Sequence, residues 1–434
     1  MAGRRGWDRR RRWVRGAAPP RTLSRVGTLS QVGSGQDTGG AGGPRLPPGF
    51  SALVGRAGVR SGPGDDVALL WSTTEASSAA VFTRSRFAGP SVTLSRARAA
   101  GGRARAVVVV AGNANVATGA QGERDAVELG ELAAGVTGLH HSEVLVASTG
   151  VIGRPYPMEV LRGWFATAAG SSAGAGPDAR RTQAAGDLAA AIMTTDTVRK
   201  CASRRVGPAT VVGVAKGVGM IEPDMATMLA FVCTDALVEP AVLDRLWRRA
   251  VDGTFNCLSV DGDTSTSDTA VVLAGGQAGA VPEGDLAAAL REVCLDLTLQ
   301  LARDGEGATK LLTVTVRSAR DQSQARRVAK AVVNSPLVKT AIHGGDPNWG
   351  RVAMAVGKNT GDHDIHPDRV VIRFGNQEAY PAVPGPGGLA ALAEVLSRDH
   401  VDIEVELGAG TAEATVYGCD LSAAYVSINA DYTT

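Results

Sequence analysis

Cysteine is scarce: the 434 residues hold five, Cys201, Cys233, Cys257, Cys294 and Cys419, an odd number, widely spaced and without a CxxC step. That pattern argues against a disulfide framework or a cysteine-built zinc site, and a reducing cytoplasm is the compartment it fits. Long apolar runs are missing too, none reaching the roughly 18 residues of a membrane-spanning helix. The Arg-rich start leads into Pro19 and Pro20 rather than a signal-peptide apolar region, so neither export nor membrane association is expected. Charge of one sign is equally lacking. The net charge is +2, and the first 45 residues alone carry ten Arg against Asp8 and Asp37, so no nucleic-acid-binding surface is expected over the body. No G-x-G-x-x-G follows a strand-like run, and Gly305-Glu306-Gly307-Ala308-Thr309-Lys310 lacks the spacing of a phosphate-binding loop.

What is present describes an ordinary globular protein, 44% hydrophobic and 20% charged, long enough for a large α/β domain or two closely packed ones. Residues 1–46 read as a disordered basic extension, because the Gly/Ser/Pro-rich stretch from Gly33 to Pro48 cannot bury enough apolar surface to fold. A solvated tail or an early start codon accounts for that segment, and its Arg-rich, acid-poor composition also fits an organelle transit peptide. Beyond it, short β-branched runs predict strands over Ala79–Thr83, Arg105–Ala111, Glu143–Ala147, Met228–Cys233, Lys310–Val316 and Arg369–Phe374. Between them, Leu286, Leu290, Val293, Leu297 and Leu301 form one helical stripe opposite Arg291 and Asp296. A helix is also expected over Asp187–Met193, preceded by a surface loop over Ala169–Ala185. Val401, Ile403, Val405 and Leu407 alternate with acids before Gly408-Ala409-Gly410, and the run continues over Thr411–Tyr417 as an antiparallel hairpin. Mixed strand directions covered by helices imply a layered α/β sandwich.

The richest stretch runs from Lys216 to Phe231: glycines at 217 and 219, Pro223, then Ala226-Thr227 at the mouth of an apolar strand. A threonine hydroxyl is a poor nucleophile without an adjacent base. Its own α-amine would serve, with a reference pKa of about 7.7–8.0, but exists only if the Ala226–Thr227 bond is broken. Attack by the Thr227 hydroxyl on the preceding carbonyl would need a distorted peptide and a small neighbour, which Ala226 is. Read without context, Thr227 is a helix-capping or core threonine after a turn. Ser148-Thr149-Gly150 likewise reads as a strand-ending turn, and Lys216 and Glu306 as solvated charges or a structural ion pair.

Context comes from a series of segments: Ala111–Asn115, Ser148–Gly153, Met193–Thr197, the run ending in Thr227, Ser259–Thr266, Asp304–Lys310, Asn334–Lys339, His343–Arg351 and Ile428–Tyr432. In this order they resemble the ornithine acetyltransferases, the glutamate N-acetyltransferases of arginine biosynthesis, from about Pro47 to Thr434. The resemblance implies a precursor that cuts itself into an α chain (47–226) and a β chain (227–434), with Thr227 as acetyl-carrying nucleophile. It implies an oxyanion hole from Thr149 and Gly150, where one donor is worth about 2.7–4 kcal/mol of barrier. It also implies a substrate pocket of Thr194, Lys216, Thr227, Glu306, Asn429 and Thr434, a cation and an acid suiting the two ends of an amino acid. Thr195 competes with Thr194 for the pocket-facing position. The substrates implied are N2-acetylornithine and glutamate, exchanged by a ping-pong route with no cofactor, acetyl-CoA standing as a further donor in a multifunctional enzyme. An α2β2 heterotetramer in the cytoplasm is the implied assembly.

Ser267 stands where this family more often has Asn, and Gly345 where an acid is common. Other patterns carry less. Asp261, Asp263, Ser265 and Asp268 lack the Gly and Glu of a calcium loop and read as a polar turn. His140, His141 and Glu143 lack metalloprotease spacing and no metal site is assigned. Cys257 reads as a buried structural thiol. Two readings from other classes remain open: an amidohydrolase using the same Thr227 with water as acceptor, and a non-catalytic amino-acid-binding paralogue.

Overall fold

Short apolar runs between glycines and polar turns become strands here, and their two-residue period decides which side chains enter which core. The structure, a computed structural model, describes residues 43–170, 178–222, 228–382 and 384–431. The first strands are β1 (Phe50–Gly55), β2 (Val67–Ser72), β3 (Ser77–Phe82), β4 (Ala106–Asn113) and β5 (Val144–Val151). Next come β6 (Ala179–Thr182), β7 (Lys200–Val206), β8 (Ala209–Lys216), β9 (Leu229–Ala236) and β10 (Thr269–Gly279). The last are β11 (Leu311–Ala319), β12 (Val371–Phe374), β13 (Gln377–Tyr380), β14 (His400–Glu406) and β15 (Ala412–Cys419).

They form three mixed five-stranded sheets, ordered β5-β4-β2-β1-β6, β3-β10-β9-β8-β7 and β13-β12-β14-β11-β15. The first two sheets pack face to face. Ala68, Leu70, Val107 and Val109 from one meet Val212, Val214, Phe231 and Val271 from the other in a shared core. The alternate residues point outward: Leu69, Val108 and Val146 against Leu129, Leu161 and Phe165 of the helices Gly119–Thr137 and Met158–Gly170, and Val211, Ala230 and Val232 against Trp247 and Leu290. The result is a helix–sheet–sheet–helix sandwich, the layered α/β class that the mixed strand pattern implies. The helix Glu283–Arg303 is held by the stripe read from the sequence, with Leu286, Leu290, Val293, Leu297 and Leu301 all at most 2% exposed. Each such residue contributes about 1.5–3 kcal/mol of burial, which a charge placed on that face would forfeit. The third sheet has its own core, shared with the helices Gln322–Val333, Trp349–Gly357 and Pro386–Leu396.

Three expectations change. The alternating runs around Gly408 are strands but not a hairpin: β11 lies between them, parallel to β14 and antiparallel to β15. The connecting loop instead folds over the end of β11, Ala409 and Gly410 donating to the Ser318 carbonyl at 2.7 and 2.9 Å. Alternation reports the buried face of a strand but not its partner. The expected loop over Ala169–Ala185 contains β6, which pairs antiparallel with β1 at the sheet edge. The strand expected to end at Ala147 runs on through Ser148, Thr149 and Gly150 to Val151, paired with β4 along its length, so these residues are not a turn. No helix of the described residues is long and apolar enough to cross a membrane.

Candidate active site

The two facing sheets open at one end into a cavity of about 130 Å³, walled by Thr149 and Gly150 of β5, Lys216 of β8, Met228 and Leu229 of the β9 start, and Glu306 and Asn429. Residues nearly three hundred positions apart in the chain thus converge on one space, as the family pattern implies for them. Ala226, Thr227 and Thr434 lie outside the described residues. The described residues that flank 223–227 are Glu222 and Met228: register pairs Lys216 with Leu229 across β8 and β9, and Lys216, Met220, Met228 and Leu229 all line the cavity. Both of these flanks are tied down. Met220 and Ile221 donate their N–H groups to the Asp261 carboxylate at 2.7 and 2.8 Å, and Glu222 is held by the Asp263 carbonyl at 2.9 Å and the Thr264 hydroxyl at 3.1 Å. On the far side Thr269 donates to the Met228 carbonyl at 3.0 Å. The acidic turn at 261–264 therefore works as a backbone clamp, through a carboxylate accepting two amide protons at once.

Backbone geometry explains Gly150. Its φ is +129°, and a Cβ there would lie 2.3 Å from the carbonyl carbon of Gly112, itself at φ +104°. Only glycines allow β4 and β5 to approach this closely while the ladder shifts register between Gly112 and Asn113. Next to it, the Thr149 hydroxyl accepts from Lys216 Nζ at 3.0 Å, and the Thr194 hydroxyl accepts from the same ammonium at 2.8 Å. A hydroxyl that accepts from an ammonium still has its own proton to donate. Both threonines are thereby primed as donors, the chemistry an oxyanion hole needs.

Lys216 is 7% exposed. Burial pushes its ammonium below the ordinary lysine range, opposed chiefly by the charge of Asp196. It is neither a solvated charge nor, among the described residues, the ion-pair partner of Glu306. Glu306 instead accepts from Thr195 Oγ1 at 3.3 Å and Asn429 Nδ2 at 2.9 Å. Its loop passes so near Gly219 that a Cβ there would sit 2.5 Å from the Glu306 carboxylate. Thr194 and Thr195 both line the cavity, one serving the cation and the other the acid, because the chain bends there just past the helix Ala185–Ile192.

Sequence reasoning missed several groups. Ser267 lines the same cavity, so the departure from the family's usual Asn falls on the pocket wall. Arg60 donates to the Met193 carbonyl at 3.0 Å and packs over Gly112, which fixes the threonine pair from behind. Gly345, the other departure, caps the helix Pro336–Gly344 in the left-handed region at φ +68°, where glycine is the natural residue. His140, His141 and Glu143 form a capped turn, with His140 Nδ1 2.7 Å from Ser142 Oγ. Cys257 is buried, its thiol pushed up by burial.

Comparison with known proteins adds one consistent set of likenesses. The ArgJ family model matches residues 51–434. The chain is 52% identical over 389 residues to the arginine biosynthesis bifunctional protein ArgJ 2 of a Nostoc species, covering 89% of this chain and 98% of that one. It is 52% identical over 398 residues to the glutamate N-acetyltransferase Oat2 of Streptomyces clavuligerus, covering 90% and 99%. A crystal structure of the bifunctional ArgJ protein of Bacillus halodurans aligns at 40% identity and a TM-score of 0.44, covering 48% of this chain and 100% of that one.

Proposed function

The chain belongs to the ArgJ family and is an acyltransferase of arginine biosynthesis, and on that premise we propose a self-processing enzyme that moves acetyl from N2-acetyl-L-ornithine to L-glutamate. The observation that carries the proposal is the convergence of Thr149, Gly150, Thr194, Lys216, Glu306 and Asn429 on a cavity whose wall includes Met228, the residue after Thr227. In the maturation step the Thr227 hydroxyl attacks the Ala226 carbonyl carbon and the amide becomes an ester. Water then hydrolyses the ester, leaving an Ala226 carboxylate and a free Thr227 amine. The clamp at Asp261–Thr264 and the anchor at Met228 support this reading by holding the chain on either side of the bond.

In turnover the Thr227 hydroxyl attacks the acetyl carbon while its own α-amine takes the proton. The oxyanion is stabilised by the Thr149 hydroxyl and the Gly150 N–H. The C–N bond breaks, ornithine leaves with the proton, and the acetyl group stays on Thr227 as an ester. The α-amine of glutamate attacks that ester in turn, giving N-acetyl-L-glutamate and the free hydroxyl. Lys216 and Glu306 would read the carboxylate and the ammonium of the amino acid, with Thr194, Asn429 and Thr434 completing the pocket. Acetyl-CoA would prime the same hydroxyl, and the two pieces would assemble as an α2β2 heterotetramer in the cytoplasm.

The test is product analysis with N2-acetylornithine and glutamate together. Expected are stoichiometric N-acetylglutamate, parallel double-reciprocal plots and little free acetate. Acetate release without N-acetylglutamate would mean an amidohydrolase, and binding without turnover a non-catalytic paralogue.

A further inference from the structure

Behind the cavity lies a line of charges that the reaction does not use. Lys200 of β7 is fully buried, its ammonium 2.7 Å from Asp196 Oδ1 and 2.5 Å from Asp304 Oδ2, and the Asp196 side chain is buried with it. Each carboxylate also grips backbone. Asp196 accepts from the N–H of Gly217 at 2.7 Å and of Thr194 at 3.1 Å, the neighbour of Lys216 and the residue that shares its ammonium. Asp304 accepts from the N–H of Thr197 at 3.1 Å and from its hydroxyl, and stands two residues before Glu306. The carboxylate–ammonium–carboxylate chain thus runs from the cationic end of the cavity to its acidic end.

Burying three charges is costly, and an apolar set of similar volume would stabilise the fold as well or better. Stability alone does not explain the arrangement. We infer that Asp304, Lys200 and Asp196 form an ionic spine in which Asp304 and Lys200 keep the Asp196 carboxylate charged and in place, so that Asp196 supports the Lys216 ammonium at a fixed spacing from Glu306 and the pocket reads both ends of a short amino acid. These are positioning residues: none of them lines the cavity, and they act through Lys216, Thr194 and Glu306. The inference rests on the acyl-transfer reading for the identity of the amino acids.

The charged groups facing Lys216 are Asp196, Lys200, Glu306 and Asp268. Removing the Asp196 charge leaves Lys200 paired with Asp304 and takes from Lys216 its main electrostatic support, so Lys216 loses its proton at lower pH. The test compares wild type with Asp196→Asn, measuring KM and kcat for both amino acids and calorimetric binding of L-ornithine over about pH 6–10. KM is expected to rise about tenfold or more, the loss of one charge-assisted hydrogen bond, with a smaller change in kcat. The alkaline rise in KM should begin at lower pH than in wild type, and acid should restore binding. A loss that is the same at every pH, or an unchanged profile, overturns the spine.

Should Asp196→Asn not fold, the neutral set Asp196→Asn, Lys200→Met and Asp304→Asn leaves no orphaned buried charge. Because this set removes Lys200, which opposes the Lys216 charge, together with Asp196, which supports it, it is read by kinetics at neutral pH: a KM raised about tenfold with kcat little changed supports the spine, and an unchanged KM overturns it. A wild-type protein that binds ornithine but transfers no acetyl defeats the functional reading alone, since the binding profile still judges the spine. A wild type that binds neither amino acid defeats both.

Discussion

The cavity end of the sandwich and the outer face of the third sheet use charge in opposite ways. On the third sheet Arg317 bridges Glu404 at 2.8 Å and Glu413 at 2.6 Å, and Arg373 reaches Glu404 at 2.8 Å, all with 29–62% of their side chains in solvent. At the cavity Lys200, Asp196 and Lys216 are almost wholly removed from water. Exposed pairs are screened and lose side-chain entropy, so they contribute about 0–1 kcal/mol each. Buried charges carry a desolvation cost of several kcal/mol that the fold tolerates only where geometry is excellent. Where a protein concentrates that cost is therefore a guide to where its chemistry is.

The sharpest break of this contrast should come at Gly150. Gly150→Ala must push β5 away from Gly112, and acetyl transfer should fall by at least about 10²-fold, the scale of a lost oxyanion donor, with on the order of 1–3 kcal/mol of stability lost to backbone strain. Initial rates and urea unfolding read the two effects. Thr149→Val should follow, lowering kcat by about 10²–10³ with KM little changed, as the proposed oxyanion role of its hydroxyl requires. A matching rise in KM would recast Thr149 as a binding group.

A smaller and purely structural effect is expected at Asp420, a buried carboxylate outside the cavity. Burial pushes it up, but the hydroxyl and N–H of Thr309, the N–H of Lys310 and His343 together hold it below the usual carboxylate range. A depressed carboxyl contributes stability above its unfolded value of about 3.9 and loses it as pH falls through the folded value. Asp420→Asn should therefore cost about 1–3 kcal/mol near neutrality and progressively less towards acid, as urea midpoints across pH would show. Smallest of all, Arg317→Ala should shift stability by no more than about 1 kcal/mol and leave kcat and KM as they are. A large effect there would erase the contrast between the two regions.

Much of the fold and of the pocket is legible in the sequence. The stripe Leu286 to Leu301 and six strand positions follow from periodicity, whereas the cavity-lining residues Thr149, Gly150, Thr194, Lys216, Glu306 and Asn429 are singled out by the family resemblance rather than by residue pattern alone. What stays hidden is partnership. Alternation around Gly408 does not reveal that β11 slips between β14 and β15, and a pair of adjacent threonines does not reveal that both face the cavity. The role of Lys200 is illegible for the same reason: its partners lie 4 and 104 residues away, and a lysine in sequence looks like a solvated one. The acidic turn at Asp261 signals polarity, whereas its function as a clamp depends on amides from another segment.

The central claim is that a hydroxyl and an amine created on one residue by chain cleavage do the chemistry, and intact-mass analysis after brief exposure to N2-acetylornithine addresses it most directly. Two polypeptides are expected, the second beginning at Thr227 and heavier by one acetyl group that L-glutamate then removes. An unbroken chain that still turns over, or an acetyl group carried by a residue other than Thr227, would contradict it.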